Sequence, residues 1–497
     1  MVDITKDVNL NFKPEENPFN EFDREPLIPF MVSREGPALA VGDANGDGLD
    51  DVFIGSSKGN KSAIFFQRSG GKFEKSNQPG LDNDSTYEDV DATWVDVNND
   101  GTTDLVIASG GNEYYGNDKY QQPRLYLNDG HEHFTLLDHA FDNIYLTASC
   151  VVPYDFNGDG YVDLFIGGRA VPWEYGQVPQ SYLLENDKHG HFRDVTAQYS
   201  SELSKVGFVR SALWYDINKD GRKDLIISPE WGGICAFINE NGSFKKQMLT
   251  DKKGWWNFAL PVDINGDGNI DLIAGNEGLN NRLTASSAAP VRLYYNDFDD
   301  NGKKEQVLTY YLDGHEIPFA NKDELQKQIP VIKKRFLYAS DFAQAHLNEI
   351  FSEDKLKNAD VLTADYFPNS ILMNKGNLNF TTMPLPWLAQ LSPYKDAVVV
   401  NANNDSLPDI LIAGNFYDNN IQMGRNDADF GTILINKGNG QFDCESINGL
   451  QIKGEVRHIK KINIGKEEAY IIARNNDSVM VIKFKDESLL KKQDNKF

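Results

Sequence analysis

Hydrophobic residues in this chain come in short runs, paired around compact loops rich in Asp, Asn and Gly. Runs of this length, rich in Val, Ile, Leu and Phe and bounded by turn residues, read as β-strands. The first pair is ALAVGDANGDGLDDVFIGS, whose loop carries Asp43, Asn45, Asp47, Gly48 and Asp51. The second carries Asp96, Asn98, Asp100, Gly101 and Asp104, and the third Asp155, Asn157, Asp159, Gly160 and Asp163. The fourth carries Asp216, Asn218, Asp220, Gly221 and Asp224, and the fifth Asp263, Asn265, Asp267, Gly268 and Asp271. Five loops with one spacing define an internal repeat, and a repeat decides the fold before any single element does.

Two weaker copies follow. LYYNDFDDNGKKEQVLTYY offers Asp297, Asp299, Asn301, Gly302 and Glu305, and VVVNANNDSLPDILIAGN offers Asn401, Asn403, Asp405 and Asp409 with Ser406 in the glycine position. A last stretch, RHIKKINIGKEEAYIIARN, keeps the strand pair without the acidic loop. After most copies comes an apolar strand, a polar turn and a Phe, as in RLYLNDGHEHF, YLLENDKHGHF, CAFINENGSF, ILMNKGNLNF and LINKGNGQF. That pattern is a hairpin. Two hairpins per unit give four antiparallel strands, the content of one propeller blade. The chain is therefore predicted to be all-β, a β-propeller of seven or eight four-stranded blades. Residues 321–357 interrupt it with a helical insertion, because Leu325, Ile329, Ile332 and Phe336 recur at helical steps and Pro330 starts or kinks a turn. The expected organisation is an N-terminal extension (1–29), the propeller (30–485) and a C-terminal tail (486–497).

The loops carry the candidate chemistry. Side-chain oxygens fall at positions 1, 3, 5 and 9. Position 7 would add a backbone carbonyl, from Leu49, Thr102, Tyr161, Arg222 and Asn269, and from Lys303 in the Asp297 loop. Glycine at position 6 allows the positive φ of a sharp turn. A ring of carboxylate, amide and carbonyl oxygens suits a hard cation, and the size of the ring favours Ca²⁺ over Mg²⁺. Transition metals would call for His or Cys, which these loops lack. Asp-Asn-Gly sequences are also good turns in their own right, but turn chemistry alone does not require five identical spacings. About five strong calcium sites are expected, with one or two weaker ones at the Asp297 and Asn401 loops.

Charge agrees. The 497 residues carry a formal net charge of −25, which disfavours nucleic acid as a partner. No apolar run is long enough to span a membrane. The three cysteines, Cys150, Cys235 and Cys444, show neither zinc spacing nor a disulfide framework and read as packing residues. Loose calcium sites fill at the millimolar levels found outside cells. That favours an extracellular, periplasmic or cell-surface location, although the opening residues contain no secretory apolar segment.

The loops resemble the FG-GAP/VCBS repeat of integrin-α-like propellers and of exported Bacteroidetes-type proteins, through DxNxDGxxD flanked by apolar strands over roughly residues 30–485. The resemblance implies a calcium-stabilised propeller, export, and binding to protein or carbohydrate, with no one activity.

In a propeller the acidic loops share one face, and a ligand would meet the opposite one. Candidate ligand residues there are Asn112, Glu113, Arg169, Trp173, Arg210, Glu230, Trp231, Trp255, Trp256, Asn276 and Glu277. Such aromatics and amides could stack sugar rings or hold a peptide. No nucleophile elbow, zincin or phosphate-loop motif occurs. The leading expectation is a binding module for carbohydrate or protein. The alternatives are a polysaccharide lyase using Glu113, Arg169, Glu230 and Glu277, and a spacer within a longer surface chain.

Overall fold

A computed structural model describes residues 1–447 and 449–485, so the expected tail at 486–497 lies outside the described residues. Eight four-stranded antiparallel sheets are present, one of them with a short fifth strand. Seven of the sheets form a ring. Their innermost strands are Leu39–Gly42, Asp89–Val95, Thr147–Tyr154, Phe208–Tyr215, Phe258–Val262, Tyr394–Val400 and Glu455–Ile464. Each packs against the next, and the last packs against the first. The propeller therefore has seven blades.

Within a blade the strands follow chain order outward from the axis. Second strands such as Asp104–Ser109 and Asp163–Ala170 are buried at every position, because neighbouring blades cover both of their faces. Fourth strands such as Lys72–Lys75 bury one residue and expose charged ones, which discourages pairing with another chain's edge.

Blade seven takes its outer strand from the other end of the chain. Val2 pairs with Lys483 and Asp3 with Ile482, so the ring is fastened by hydrogen bonds between the two ends of the described chain. Residues 1–29 are thus not a separate extension. The first strand belongs to the ring, and Ile4, Val8 and Leu10 pack between blades one and seven.

The eighth sheet is an insertion. Its strands, Val291–Asn296, Glu305–Leu312, His315–Pro318 and Asp360–Ala364, lie in the chain between the second and third strands of blade five. The Asp297 loop therefore belongs to this sheet and not to a blade. The hairpin ILMNKGNLNF completes blade five, where Ile371 pairs with Ile273. The expected helical region also lies here, as five short helices from Lys322 to Lys357. Leu325, Ile329 and Ile332 are buried against the sheet with Phe298 and Val307, Phe336 packs beside them, and Pro330 precedes a helix start. Cys150 and Cys235 are buried, Cys444 is half-buried, and none is paired.

Candidate functional site

The acidic loops are built by local hydrogen bonds. In the first, Asp43 accepts from the backbone N–H groups of Gly46, Asp47 and Gly48 at 2.8, 3.1 and 2.8 Å. Asn45 accepts from Asp47 N–H at 3.1 Å and Asp47 from Leu49 N–H at 2.9 Å. Gly48 sits at φ +83° with open space around its Cβ position, so glycine is needed there for its backbone angle and not for room. In the Asn401 loop, Ser406 lies outside the positive-φ set.

The ninth residue differs from the rest of the loop. It is buried and, in every blade loop but the third, uses both oxygens to tie the loop to the blade. One oxygen of Asp51 accepts from Ala44 N–H at 3.0 Å and the other from Gln67 N–H, on the third strand, at 2.8 Å. Asp104, Asp224, Asp271 and Asp409 repeat this pair of bonds. Burial, with the nearby loop carboxylates, pushes Asp51 and Asp163 up to about 7 and Asp104 and Asp224 up to about 6. A bound cation is what would hold such a cluster ionised at neutral pH. Asp163 adds an independent sign, because its Oδ2 is buried with no hydrogen-bond partner. In the inserted sheet, oxygens of Asp297, Asp299 and Glu305 lie within 4.8 Å of one another. Asp299 Oδ1 is also buried without a partner. The oxygen-only donors at these loops fit a hard divalent ion.

The sequence reading missed one set of residues. The Asn ending three of the third strands reaches across to the preceding blade. Asn128 Nδ2 donates to Ala44 O at 2.7 Å, Asn186 Nδ2 to Val97 O at 2.7 Å, and Asn436 Nδ2 to Ile264 O at 2.9 Å. Each acceptor is the second residue of a neighbouring acidic loop, so these bonds tie three loops to the next blade. The signal was the Asn recurring in YLND, LLEND and LINK.

The opposite face is covered. Residues 15–35 run across it, and the inserted sheet packs alongside. Ile28, Phe30 and Val32 join Tyr175, Trp231, Trp255, Leu293 and Leu308 in one buried cluster. This placement corrects the expected open surface. Trp231 and Trp255 meet edge-to-face at 5.1 Å within that cluster, and Trp256 is fully buried with its Nε1 donating to Lys252 O at 3.1 Å. Asn276 bonds the backbone of Trp255 and Tyr366, and Glu277 is buried, accepting from Asn281 and Asn426. Arg169, Arg210 and Glu230 do converge, but beneath the covering segment. Glu35 accepts from Arg169 Nε and Arg210 Nη1, both at 2.7 Å, while Glu230 lies 2.9 Å from Arg169 and 2.5 Å from Arg210. Burial opposes charge on Glu35, but the arginines outweigh it and hold the carboxyl well below the usual range. Asn112 is a buttress. Its side chain donates to Glu21 and to Glu25, and its Oδ1 accepts from Trp173 N–H at 2.9 Å.

Glu113 and Trp173 are the members of the set that reach solvent. Glu113 is half-buried and accepts from Asn17 at 2.9 Å. Trp173 is 44% exposed at φ +68°, an uncommon angle for a bulky residue. Tyr115, 61% exposed, lies 5.0 Å from it, and the Arg24 guanidinium lies 4.6 Å from its ring centre.

Seven closed blades with repeated Asp loops define a β-propeller carrying FG-GAP-like repeats. The FG-GAP-like repeat family matches residues 43–107, 96–166 and 216–274. No curated protein matches the chain in sequence. Among solved structures, an Agrocybe aegerita lectin specific for non-reducing terminal N-acetylglucosamine is similar at 12% identity and TM-score 0.43, over 83% of this chain and 80% of that one. The V. cholerae biofilm matrix protein Bap1 is similar at 11% identity and TM-score 0.38, over 96% and 92%. Saccharomyces cerevisiae Sqt1 is similar at 9% identity and TM-score 0.43, over 93% and 100%.

Proposed function

We propose that this protein is a calcium-stabilised, extracytoplasmic binding module, and that it takes a carbohydrate on the rim formed by Tyr115 and Trp173. The observation that carries the reading is the exposed Trp173, held at a strained backbone angle by Asn112 and paired with an exposed Tyr115. Strain on a bulky residue persists only where its surroundings impose it, and such positions cluster at binding sites. Exposed aromatic faces of this kind stack on sugar rings, with the half-buried Glu113 nearby to accept hydroxyl protons. A protein ligand on the same rim is the other partner class. Calcium would be held by the Asp43, Asp96, Asp155, Asp216 and Asp263 loops and by Asp297, Asp299 and Glu305. The ion would neutralise carboxylates that burial otherwise drives toward protonation. The lyase alternative loses ground, because Arg169 and Glu230 are sealed and already paired with each other.

A glycan array probed in millimolar calcium tests the proposal. Wild type should bind a restricted set of glycans and Trp173→Ala should lose them. Equal binding by both proteins, or none by wild type, would remove the rim as a carbohydrate site.

A further inference from the structure

An axial cavity of ≈100 Å³ lies beneath the covering segment, lined in part by Glu35, Arg210, Asn257, Lys395, Asp396 and Arg457. Its ion pairs leave one cation without a partner. Arg169 and Arg210 share Glu35 and Glu230. Arg457 pairs with Glu455 at 3.1 Å and donates to Arg34 O at 2.9 Å. Lys395 has no such partner. Its Nζ donates to Asn257 Oδ1 at 3.0 Å and lies 4.9 Å from the Phe416 ring centre. Among the described residues no carboxylate oxygen comes within 4.0 Å of it.

The other nearby acids are otherwise engaged. Asp396 accepts from Ala397 N–H at 2.8 Å and Ile459 N–H at 2.7 Å, and burial pushes it up to about 6. Glu277 accepts from two asparagines, and burial pushes it up to about 7. Three of the four cations are thus held in ion pairs, and Lys395 is not. An ammonium has three donors, so Lys395 keeps two to offer. Lys395 is half-buried. Desolvation together with Arg210 brings it down to about 7, and an anion beside the ammonium would favour its charged form.

We infer that the cavity binds a small anion, of halide or single-carboxylate size, with Lys395 as its principal ligand. The volume admits an ion with a few waters, each taking about 30 Å³, and excludes a sugar. The site is separate from the Tyr115–Trp173 rim, and either proposal can fail alone.

Two measurements decide it. Thermal melts of the calcium-loaded protein at pH 7 and constant ionic strength would compare chloride with gluconate, which is too large to enter. Chloride should raise the wild-type Tm by several degrees and leave Lys395→Met unchanged. An equal chloride effect in both proteins, or none in wild type, would overturn the inference. Bromide soaked into wild-type crystals gives a test independent of the variant's folding. An anomalous peak beside Lys395 Nζ is expected, and its absence would mean a neutral lysine facing water.

Discussion

The two ends of the ring are built in contrasting ways. At the loop end, each blade closes a turn within nine residues, and Asp43 bonds backbone only three to five positions away. At the covered end, Glu35 reaches Arg169 and Arg210 across 134 and 175 residues. The first arrangement repeats because each loop is self-contained. The second occurs once, because it depends on a single segment crossing the whole face. Local motifs can be read directly, whereas a single long-range assembly has no periodicity to reveal it.

The largest test of this contrast is removal of calcium. An ion that binds the folded state at 100 times its Kd stabilises by about 2.7 kcal/mol per site. Five such sites would sum to about 13 kcal/mol. Chelation should lower Tm by on the order of 10 °C or more. Hydrogen exchange should show the loss first in the acidic loops and inner hairpins, with residues 15–35 retaining protection longer. A Tm indifferent to chelator would mean that the loops are turns without ions.

The reverse test strikes the covered end. Glu35→Ala leaves two buried arginines sharing Glu230 alone, and breaking a buried pair typically costs about 3–5 kcal/mol. Protection should fall in residues 15–35 while calcium stoichiometry stays constant. Loss of calcium in this variant would show that the two ends are coupled after all.

That distinction explains what could be read in advance. The strand pairs, the loops and the Gly48-type turns follow from sequence periodicity, and so did the helical stretch around Leu325 and Ile332. The blade count did not, because the Asp297 loop copies the blade motif inside an inserted sheet, and only strand pairing shows that ILMNKGNLNF belongs to blade five. The expected ligand face failed for a related reason. Trp231, Trp255 and Glu230 lie on the predicted end of the ring, but nothing in their own neighbourhood announces the segment that buries them. Trp173 escapes because its turn lifts it to the edge of that cover.

Acidity offers a third lever on the covering segment. Burial pushes Glu21 up to about 7, the Ser33 and Asn112 hydrogen bonds offsetting only part of the effect. Glu16 is pushed the same way, again to about 7. A carboxyl raised in the folded state stabilises most below its unfolded value of 4.5 and loses that contribution as pH rises through the folded value. A shift of this size corresponds to roughly 3 kcal/mol between the two limits. At fixed calcium, protease resistance of residues 15–35 should therefore fall between pH 5 and pH 8, about the 4.5–7 window. The dependence should be shallower in Glu21→Gln, and an unchanged slope would assign it to other groups.

At the loop end the matching single change is Asp163→Ala. It removes the acceptor for Asn186 N–H at 2.9 Å along with one loop ligand. Calcium stoichiometry should drop by one, and stability by about 1–3 kcal/mol for the orphaned donor. Asp159→Ala should lose the same ion at a smaller cost to the blade, because its side chain is part-exposed and makes only the Tyr161 N–H bond of the turn and a surface ion pair with Lys188 at 3.3 Å. Unchanged stoichiometry in both would exclude that loop as a site.

The smallest effect on stability, and the sharpest on function, should come from Trp173→Gly. Glycine adopts φ +68° without penalty, and relieving a strained residue of this kind returns about 1 kcal/mol. Against this stand the lost contacts to Tyr115 and Arg24, which are worth about 0.5–1.5 kcal/mol each when buried and less at an exposed site. The melting temperature should therefore move by no more than a degree or two in either direction. Binding should be lost, because the ring that would stack on the ligand is gone. A variant that keeps its binding would show that the ligand does not stack on this ring, and one that instead loses stability would show that the Trp173 side chain serves the covering segment beneath it, next to the Asn112 contact; in either case the rim would lose its claim to a ligand.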